Sequence, residues 1–524
     1  MQRPDSGGRS TVYGTRGAVA CEHPAAALAG IRMLDAGGTA ADACVAMAAA
    51  MAVLSPPMTG PGGDAFLLHR DAATGAVRAL EGAGRAGNGA TIEAVRARGH
   101  ETMPARGGEP VTVPGAVALW ADAAAELGRL GLATLLEPAR ELAERGHPVA
   151  PVSARAWEEA EALLRRDEAA ATAFLPGGRA PRAGEVVQMP DLARTFAAIA
   201  EQGPRVFYEG EIAERIVAAV RAAGGFLELE DMAAHRSTWV EPISAPYRDL
   251  VVHELPPPTT GVAALMILRA LAREDVGALP PLSAERIHLE VRATLHAFEA
   301  LHEHVGDPGF VDVPVAAMLE SAGLAGAQRA EPPGGGAGDT TYLCAVDAEG
   351  NGCSFINSLY KGFGSGIVAP GTGVCLHDRG FGFSLEETSP SVLAPGKRPL
   401  HTIIPALVTR DGELWAVYGN MGGFMQPQGH AQVLVNLRDH GMAPQEAVDH
   451  PRHFHDAGVL LVEGRVPEAE IAKLRRWGHG VEVGPDYAEP CGGAQVVRVL
   501  ENGVRAAGSD PRKDGCALAQ LPGA

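Results

Sequence analysis

Apolar residues recur at helical spacing in four parts of the first two thirds of the chain, which predicts a mostly helical region there. These parts are residues 22–57, 111–149, 189–232 and 283–305. In the first of them, Gly37 and Gly38 interrupt the pattern, and Thr39 stands where the N-cap of a second helix is expected. The prolines at residues 256–258 predict the end of a strand ahead of a further helix, because proline cannot donate to a sheet ladder.

A different pattern begins in the last two fifths of the chain. Five small residues, Gly334 to Gly338, lead through Asp339 into Thr340 and Thr341, which open the β-like run YLCAV. A turn and a second run, GCSFINSLY, follow and predict a second strand. The plain interpretation of this junction is a surface loop that enters an edge strand.

Thr340 also fits a catalytic interpretation. A threonine hydroxyl is a weak nucleophile and needs a base beside it. If the peptide bond between Asp339 and Thr340 were cut, the freed α-amine of Thr340, with an ordinary pKa of about 7.7–8.0, would be that base. The same hydroxyl could make the cut by attacking the Asp339 carbonyl in an N-to-O acyl shift, leaving an ester for water to hydrolyse. One residue would then supply both catalytic groups.

The order of threonines, strand, turn, strand and FGSGIV resembles the small-subunit start of the γ-glutamyltranspeptidase family. Members of that family are N-terminal nucleophile hydrolases, made as one chain and self-cleaved before a threonine. The resemblance extends to KRPLHTIIPALV at 397–408, GNMGG at 419–423 and SDPRKDG at 509–515, and to much of the upstream half. It implies a four-layer αββα sandwich, which composition alone does not name.

The resemblance also implies how the chain is divided. Residues 1–339 correspond to the large-subunit region, mostly helical with some strands, and residues 340–524 to the small-subunit region that carries the nucleophile. After cleavage at 339/340 the two regions would form one intertwined domain, a heterodimer of fragments of the same chain. A dimer of such heterodimers stays open.

The family assigns expected roles around Thr340, its nucleophile. Ser358 falls where a hydroxyl residue on the second strand steadies the nucleophile, and Tyr360 stands where the family pattern usually has asparagine. Gly422 and Gly423 correspond to glycines whose backbone N–H groups bind the tetrahedral oxyanion, since the lack of side chains lets a carbonyl approach closely. The plain alternative for these two residues is a glycine turn.

Departures from the family pattern lie where transpeptidases bind the substrate. In HDRGFGF at 377–383, Arg379 and Gly382 stand where an acidic pair binds the substrate amine, so at least the usual aspartate is missing. His401 and Thr402 replace a serine pair. An arginine repels an ammonium group and pairs with a carboxylate. The pocket is therefore predicted to bind a carboxylate and to lack an acidic partner for the α-amine of glutamate.

Arg85 is a second candidate partner for the substrate carboxylate. It lies in LEGAGRAG, near the position of the family arginine that holds the α-carboxylate of the γ-glutamyl group. Either that role is kept with shifted geometry, or Arg85 is an ordinary surface residue. The anion's partners would be Arg379 and Arg85, with His401 or His430 as polar neighbours.

The predicted function is a self-processing hydrolase or acyltransferase that cleaves an amide of a small carboxylate-bearing substrate, a γ-glutamyl compound or similar, through an acyl-enzyme on Thr340. Two alternatives stay open. One is an oxamate or oxalyl-type amidohydrolase, or a carbon–carbon hydrolase of a natural-product pathway, as in a side branch of the family. The other is a non-catalytic, unprocessed homologue that acts as a binding protein. No motif calls for a metal or an organic cofactor, and the histidines of the 283–305 segment lack the HExxH pattern.

Charge and composition narrow the expected partners and compartment. The net charge of −19 and pI near 5.4 argue against a nucleic-acid partner, because a phosphate-binding surface needs a basic excess. The first residues lack the apolar core of a signal peptide, and the apolar run from Ala40 to Leu54 contains Asp42 and is too short to cross a membrane. We therefore expect a cytoplasmic protein without membrane contact.

Seven cysteines are scattered along the chain without CxxC spacing, and most are expected to be buried, reduced side chains. Cys344 and Cys353 lie on the two strands after Thr340, so a disulfide between them stays open as a minor alternative.

Overall fold

The computed structural model describes residues 8–325 and 338–522 of the chain, which contain both strands and helices. Residues 334–337 of the small-residue run lie outside the described residues. The strands of the described chain are β1 (Val12–Gly14), β2 (Ala18–Cys21), β3 (Asp64–Arg70), β4 (Val77–Gly82), β5 (His147–Pro148), β6 (Val186–Val187), β7 (Thr238–Val240), β8 (Ile243–Tyr247), β9 (Leu250–Glu254), β10 (Asp339–Val346), β11 (Gly352–Tyr360), β12 (Val368–Ala369), β13 (Val374–Cys375), β14 (Ala406–Arg410), β15 (Glu413–Asn420), β16 (His453–Asp456), β17 (Val459–Glu463), β18 (Gly480–Gly484), β19 (Ala494–Val499), β20 (Arg505–Ser509) and β21 (Cys516–Ala519).

Most helices of the described chain, fifteen of eighteen, lie upstream of Thr340, as the apolar spacing predicts. In the described chain they are α1 (Pro24–Asp35), α2 (Ala40–Leu54), α3 (Ile92–Arg96), α4 (Ala116–Glu126), α5 (Leu132–Arg145), α6 (Pro151–Glu159), α7 (Glu161–Leu164), α8 (Glu168–Phe174), α9 (Pro190–Gln202), α10 (Arg205–Tyr208), α11 (Glu211–Ala222), α12 (Leu229–Ala234), α13 (Gly261–Leu271), α14 (Ala284–His304), α15 (Val315–Ser321), α16 (Met425–Arg438), α17 (Pro444–Asp449) and α18 (Glu468–Arg476). Single 3-10 turns lie at Pro176–Gly178, Val276–Ala278, Arg379–Gly382 and Glu489–Cys491.

Two sheets of seven strands each form the centre of the molecule. The first has the order β21-β2-β10-β11-β3-β4-β7, and the second has the order β1-β20-β19-β15-β14-β9-β8. Neighbouring strands run antiparallel throughout both sheets. Both sheets therefore combine strands from before and after residue 339.

Three apolar interfaces stack these elements into four layers. The inner faces of the two sheets meet through side chains that include Phe66, Tyr342, Ile356, Leu407 and Val497. The outer face of the first sheet packs against a helical layer that includes α1, α2 and α4. The outer face of the second sheet packs against a layer that includes α13, α16 and α17. The order helix, sheet, sheet, helix confirms the predicted αββα sandwich.

Helix α2 is completely buried, and its start follows from the sequence. The Thr39 hydroxyl accepts the N–H of Asp42 at 3.2 Å, and the Asp42 carboxylate accepts the N–H of Thr39 at 2.9 Å. The same carboxylate accepts the N–H of Arg129 at 2.8 Å, which compensates the burial of a charged side chain. Within residues 8–325 and 338–522, no helix is long and apolar enough to cross a membrane.

Strands β10 and β11 lie in the middle of the first sheet, so the expectation of an edge strand after the small residues is wrong. Successive side chains of a strand face opposite sides of the sheet. Cys344 faces the second sheet, whereas Cys353 faces the helical layer. Because the two thiols point to opposite sides, they form no disulfide, and all seven cysteines of the chain are free.

We expect Thr39→Ala to lower the free energy of unfolding by about 1–2 kcal/mol, because the first turn of α2 loses the acceptor for one N–H group. The urea midpoint of the circular-dichroism signal measures the change. Thr39→Ser keeps the hydroxyl and is the matched control, expected within about 0.5 kcal/mol of the parent chain. Equal midpoints for the two variants would contradict the capping role.

Candidate active site

Thr340, Ser358 and Asp64 lie side by side at one end of three neighbouring strands. β10 begins at the residue before Thr340, β11 ends just after Ser358, and β3 begins at Asp64, which is the register partner of Ser358. The two-residue period of each strand places their side chains on the face that meets the second sheet. All three side chains are buried. The strand order therefore gathers two hydroxyl groups and a carboxylate at one end of the space between the sheets.

A β-bulge brings the hydroxyl groups of Thr340 and Ser358 together. Beyond the pair formed by Asp339 and Tyr360, one residue of β10 lies opposite two residues of β11. The Oγ atoms of Thr340 and Ser358 are 2.9 Å apart. Ser358 Oγ also donates to the carbonyl oxygen of Asp339 at 2.9 Å. Ser358 thus contacts both the Thr340 hydroxyl oxygen and the carbonyl of the Asp339–Thr340 peptide bond.

The hydrogen-bond capacity of Ser358 decides how its proton is used. A serine hydroxyl has one proton and two lone pairs. The N–H of Tyr360 and Nη2 of Arg379 both donate to Ser358 Oγ, at 2.8 Å and 3.3 Å. Because these two donors take both lone pairs, the Ser358 proton is left for the Asp339 carbonyl or for Thr340 Oγ. Ser358 therefore acts as a donor to the junction.

Tyr360 ends β11 in the left-handed backbone region, with φ of 79°. Asparagine adopts this region more readily than tyrosine, so the chain tolerates strain at this position. The Tyr360 ring covers Arg379, whose guanidinium carbon lies 4.1 Å from the ring centroid, a contact that stabilises a buried cation. Burial raises the pKa of Tyr360 to about 12, so its hydroxyl stays protonated at neutral pH.

Arg379 is a fully buried cation, and no carboxylate of the described residues lies at ion-pair distance from it. Its Nη1 donates to Thr402 Oγ at 3.2 Å and its Nη2 to Ser358 Oγ at 3.3 Å. Its Nε has no hydrogen-bond acceptor in the described part of the chain. Burial lowers the pKa of this guanidinium, and nearby acidic groups oppose the shift. An unpaired buried charge is costly, which favours an anionic ligand within its reach.

Asp64 joins three separate segments at the same end of the sheet. Its Oδ1 accepts the N–H groups of Gly84 and Gly115, at 3.1 Å and 3.2 Å, and its Oδ2 lies 2.9 Å from Nε2 of His401. Burial raises the pKa of Asp64, but the hydrogen bond with His401 and the positive charge of Arg379 outweigh burial and hold it well below its usual value. Asp64 is therefore a buried carboxylate whose two oxygens both have hydrogen-bond partners in the protein.

Gly422 and Gly423 form the turn between β15 and α16. Their φ values of 121° and 62° are accessible to glycine without strain. Neither N–H has a hydrogen-bond acceptor among the described residues. A Cβ on Gly338 would lie 3.3 Å from the nitrogen of Gly423, so the turn borders the residue before Asp339. Two unpaired N–H groups next to the junction are an arrangement that can bind an oxyanion.

A buried ion-pair network supports this glycine turn. Arg452 pairs with Asp510 at 2.6 Å and donates to the Asn420 side chain, just before the turn, at 2.8 Å. Asp510 accepts the N–H of Ala494 at 2.8 Å and pairs with Arg512 at 3.0 Å. The SDPRKDG motif supplies Asp510 and Arg512, so its side chains hold the backbone beside the turn in place.

The other residues predicted to bind substrate have different surroundings. Arg85 is half exposed and lies 3.6 Å from the carboxylate of Asp307, while its Nη1 donates to a backbone carbonyl. His401 is completely buried, and both of its ring nitrogens contact protein acceptors. His430 is also buried and lies 2.7 Å from Glu254. Neither Arg85 nor the two histidines contacts Thr340 or Ser358, whereas Thr402 reaches the junction through Arg379.

Asp64, which follows the glycines of TGPGGDAFLL, is a site residue that the sequence analysis did not identify. A signal was present: an aspartate opens an otherwise apolar run, and a charged side chain in that position is buried only when it is paired. Within the described ranges, no group of three or more His, Cys, Asp or Glu side chains is placed to hold a metal ion.

Known proteins resemble this chain over almost its whole length. A family model described as Gamma-glutamyltranspeptidase matches residues 26–520. The glutathione hydrolase-like YwrD proenzyme of Bacillus subtilis (strain 168) is 38% identical over 97% of this chain and 99% of its own. The oxamate amidohydrolase proenzyme of Klebsiella pneumoniae subsp. pneumoniae is 36% identical over 97% of this chain and 99% of its own. The crystal structure of cephalosporin acylase from Bacillus halodurans matches with a TM-score of 0.90, at 39% identity and 99% coverage of both chains.

The sandwich, together with these relatives, defines an N-terminal nucleophile hydrolase that acts on amides. The chain belongs to the γ-glutamyltranspeptidase family. The family and the enzyme class predicted from the motifs are thus confirmed, in preference to a binding protein without activity.

If the chain cuts itself between Asp339 and Thr340 as the sequence predicts, Ser358→Ala should slow that cleavage by about 10²-fold, because the Asp339 carbonyl loses its hydroxyl donor as negative charge develops on it. Samples taken over time and separated on a denaturing gel measure the rate. Ser354→Ala is the matched control, since Ser354 lies on the same face of β11 but contacts the Tyr342 hydroxyl at 2.6 Å. Equal cleavage rates in the two variants would contradict the role of Ser358.

Proposed function

We propose that this protein cuts its own chain before Thr340 and then hydrolyses amides whose acyl group carries a carboxylate. The observation that carries the proposal is the unpaired, fully buried Arg379, 3.3 Å from the serine hydroxyl that contacts Thr340. Water is the proposed acceptor of the acyl group, which makes the reaction a hydrolysis.

Maturation uses the groups already in contact at the junction. Thr340 Oγ attacks the Asp339 carbonyl carbon, the C–N bond breaks, and an ester links the two residues while the nitrogen becomes the α-amine of Thr340. Water then hydrolyses the ester, which leaves a carboxylate on Asp339 and restores the Thr340 hydroxyl. The Ser358 hydroxyl, 2.9 Å from the Asp339 carbonyl oxygen, supports this step by donating to the developing oxyanion.

Turnover repeats the same chemistry on a substrate. The α-amine of Thr340 accepts the proton of Oγ as the hydroxyl attacks the amide carbonyl, and it returns the proton to the leaving amine. The N–H groups of Gly422 and Gly423 bind the oxyanion. A water molecule then hydrolyses the acyl-enzyme ester, with the α-amine again as base. The released product carries two carboxyl groups, its original one and the one formed by hydrolysis.

The two fragments would stay together after cleavage. In the first sheet, β10 and β11 of the small fragment lie between β2 and β3 of the large fragment. In the second sheet, β14 of the small fragment pairs with β9 of the large one. The backbone hydrogen bonds and the apolar interfaces would therefore hold residues 1–339 and 340–524 as a heterodimer.

The charge of the candidate site argues for the substrate class. A guanidinium matches the two oxygens of a carboxylate, and Arg379 has its Nε free in the described chain. No acidic side chain replaces the missing aspartate at Gly382, so an ammonium group on the acyl chain has no partner at that position. One relative is named an oxamate amidohydrolase, and oxamate is a small amide with a carboxylate next to the scissile carbonyl. We therefore favour a short dicarboxylic monoamide over a γ-glutamyl compound.

We expect Thr340→Ala to remain one chain of 54.2 kDa and to have no amidase activity, because it lacks the attacking oxygen. Intact-mass spectrometry under denaturing conditions is the measurement, and the parent chain should give two fragments, one beginning at Thr340. Thr341→Ala is the matched control and should be cleaved like the parent. Cleavage of Thr340→Ala at the normal site would overturn the assignment of the nucleophile.

We expect Arg379→Ala to raise the KM for a carboxylate-bearing amide by about 10–100-fold, which corresponds to the loss of one charge-assisted hydrogen bond. Steady-state kinetics on monoanilides of two- to five-carbon dicarboxylic acids measure it, each compared with the anilide in which a methyl group replaces the carboxylate. Arg85→Ala tests the alternative partner and should change this KM less than about twofold. A larger effect of Arg85→Ala than of Arg379→Ala would transfer the role to Arg85.

A further inference from the structure

A buried cluster of Asp64, His377 and His401 adjoins Arg379, and the proposed mechanism uses none of these three side chains. All of them are completely buried. Arg379 contributes a positive charge and Asp64 a negative one, and each acts electrostatically on the other. The protonation of the two histidines therefore contributes to how much of the Arg379 charge remains for a ligand.

His377 is neutral, as its hydrogen bonds require. Its Nδ1 accepts the backbone N–H of Arg379 at 3.1 Å, so Nδ1 carries no proton. Its Nε2 donates to the carbonyl oxygen of Thr112 at 3.0 Å. The 3.9 Å approach of His377 Nδ1 to Asp64 is therefore a contact with an unprotonated nitrogen, and His377 does not neutralise Asp64.

His401 has the opposite arrangement, because both of its nitrogens face oxygen acceptors. Nδ1 lies 2.8 Å from the carbonyl oxygen of Pro399, which can only accept, so Nδ1 carries a proton. Nε2 lies 2.9 Å from Oδ2 of Asp64, a distance that requires a proton between the two atoms. Whichever atom holds that proton, Asp64 and His401 together carry no net charge.

The other oxygen of Asp64 is occupied as well. Oδ1 accepts the N–H groups of Gly84 and Gly115 and has no contact with Arg379. The hydrogen bonds of the Arg379 guanidinium within the described chain go to the hydroxyl groups of Ser358 and Thr402. The net charge of Asp64, His377, His401 and Arg379 taken together is therefore the single positive charge of Arg379.

We propose that His401 is a positioning residue that neutralises Asp64, so that Arg379 keeps its full positive charge for the carboxylate of the acyl group. His401 acts through Arg379 and does not contact the substrate. This inference rests on the proposed function, since it concerns the selectivity of the same pocket for anionic acyl groups.

The test compares His401→Gln with the double variant Asp64→Asn/His401→Gln. The glutamine amide can still donate to Asp64 but supplies no additional proton, so Asp64 becomes a net negative charge close to Arg379. In the double variant the asparagine oxygen can still accept the N–H groups of Gly84 and Gly115, and the negative charge is absent. The readout is the ratio of kcat/KM for each dicarboxylic monoanilide to that for its methyl-terminated partner, which cancels a general loss of activity.

We expect His401→Gln to lower this anion selectivity about tenfold and the double variant to recover most of the loss. A structural role for His401 alone predicts no recovery, because the second substitution removes a further native contact. Selectivity that is unchanged in His401→Gln, or that is lost equally in both variants, would overturn the inference. If His401→Gln is recovered uncleaved, the extent of maturation becomes the readout: rescue by Asp64→Asn supports the inference, and failure of rescue overturns it.

Measurements on the parent enzyme distinguish failure of this inference about His401 from failure of the proposed function. A processed parent that shows no preference for any anionic anilide over its methyl-terminated partner would refute the carboxylate-binding function itself. A parent with such a preference, combined with no effect of the His401 variants, would refute only the role of the neutralising pair.

Discussion

The buried, unpaired charge of Arg379 is the constraint on which the rest of the site depends. A guanidinium enclosed by protein is tolerated where hydroxyl groups and an aromatic face surround it. Here Tyr360 covers one side, and the hydroxyls of Ser358 and Thr402 accept from two of the three nitrogens. Because Ser358 also contacts the residues on both sides of the junction, the charge and the hydroxyl pair share one hydrogen-bond network. Under the proposed function, Ser358 links Arg379, which binds the acyl group, to Thr340, which attacks its carbonyl.

The sandwich places this hydrogen-bond network at the ends of its central strands. β10 and β11 are central strands, so their ends open between two sheets whose inner faces are apolar. Low polarity strengthens each electrostatic contact of Arg379 and raises the cost of leaving it unpaired. On the opposite side, the ion pairs of Arg452 and Asp510 hold the glycine turn close to the start of β10. The site is therefore made by two rigid sheets and one supported turn, and not by loops alone.

The motifs around Thr340 and the glycine turn were readable because they depend on local sequence. Arg379 could be identified from the sequence because it differs from the family pattern, which has an acidic residue at this position. The edge-strand interpretation was wrong because periodicity reports which face of a strand is buried and not which strands flank it. His401 was assigned to substrate binding from its place in the motif, yet its hydrogen bonds to Pro399 and Asp64 leave neither ring nitrogen free.

By itself the sequence determined the start of α2, the main helical regions before Thr340, the two strands after it, the family, and the hydroxyl and glycine residues at the junction. Caps, periodicity and motifs act over a few residues, so they are legible in a single chain. Only the tertiary structure decided how the buried charges are partnered. Asp64 and His401 are 337 positions apart, and they meet because β3 adjoins β11 in the first sheet while the segment before β14 crosses the same end. Proton sharing requires atoms within about 3 Å, and only the tertiary fold brings such distant residues to that distance.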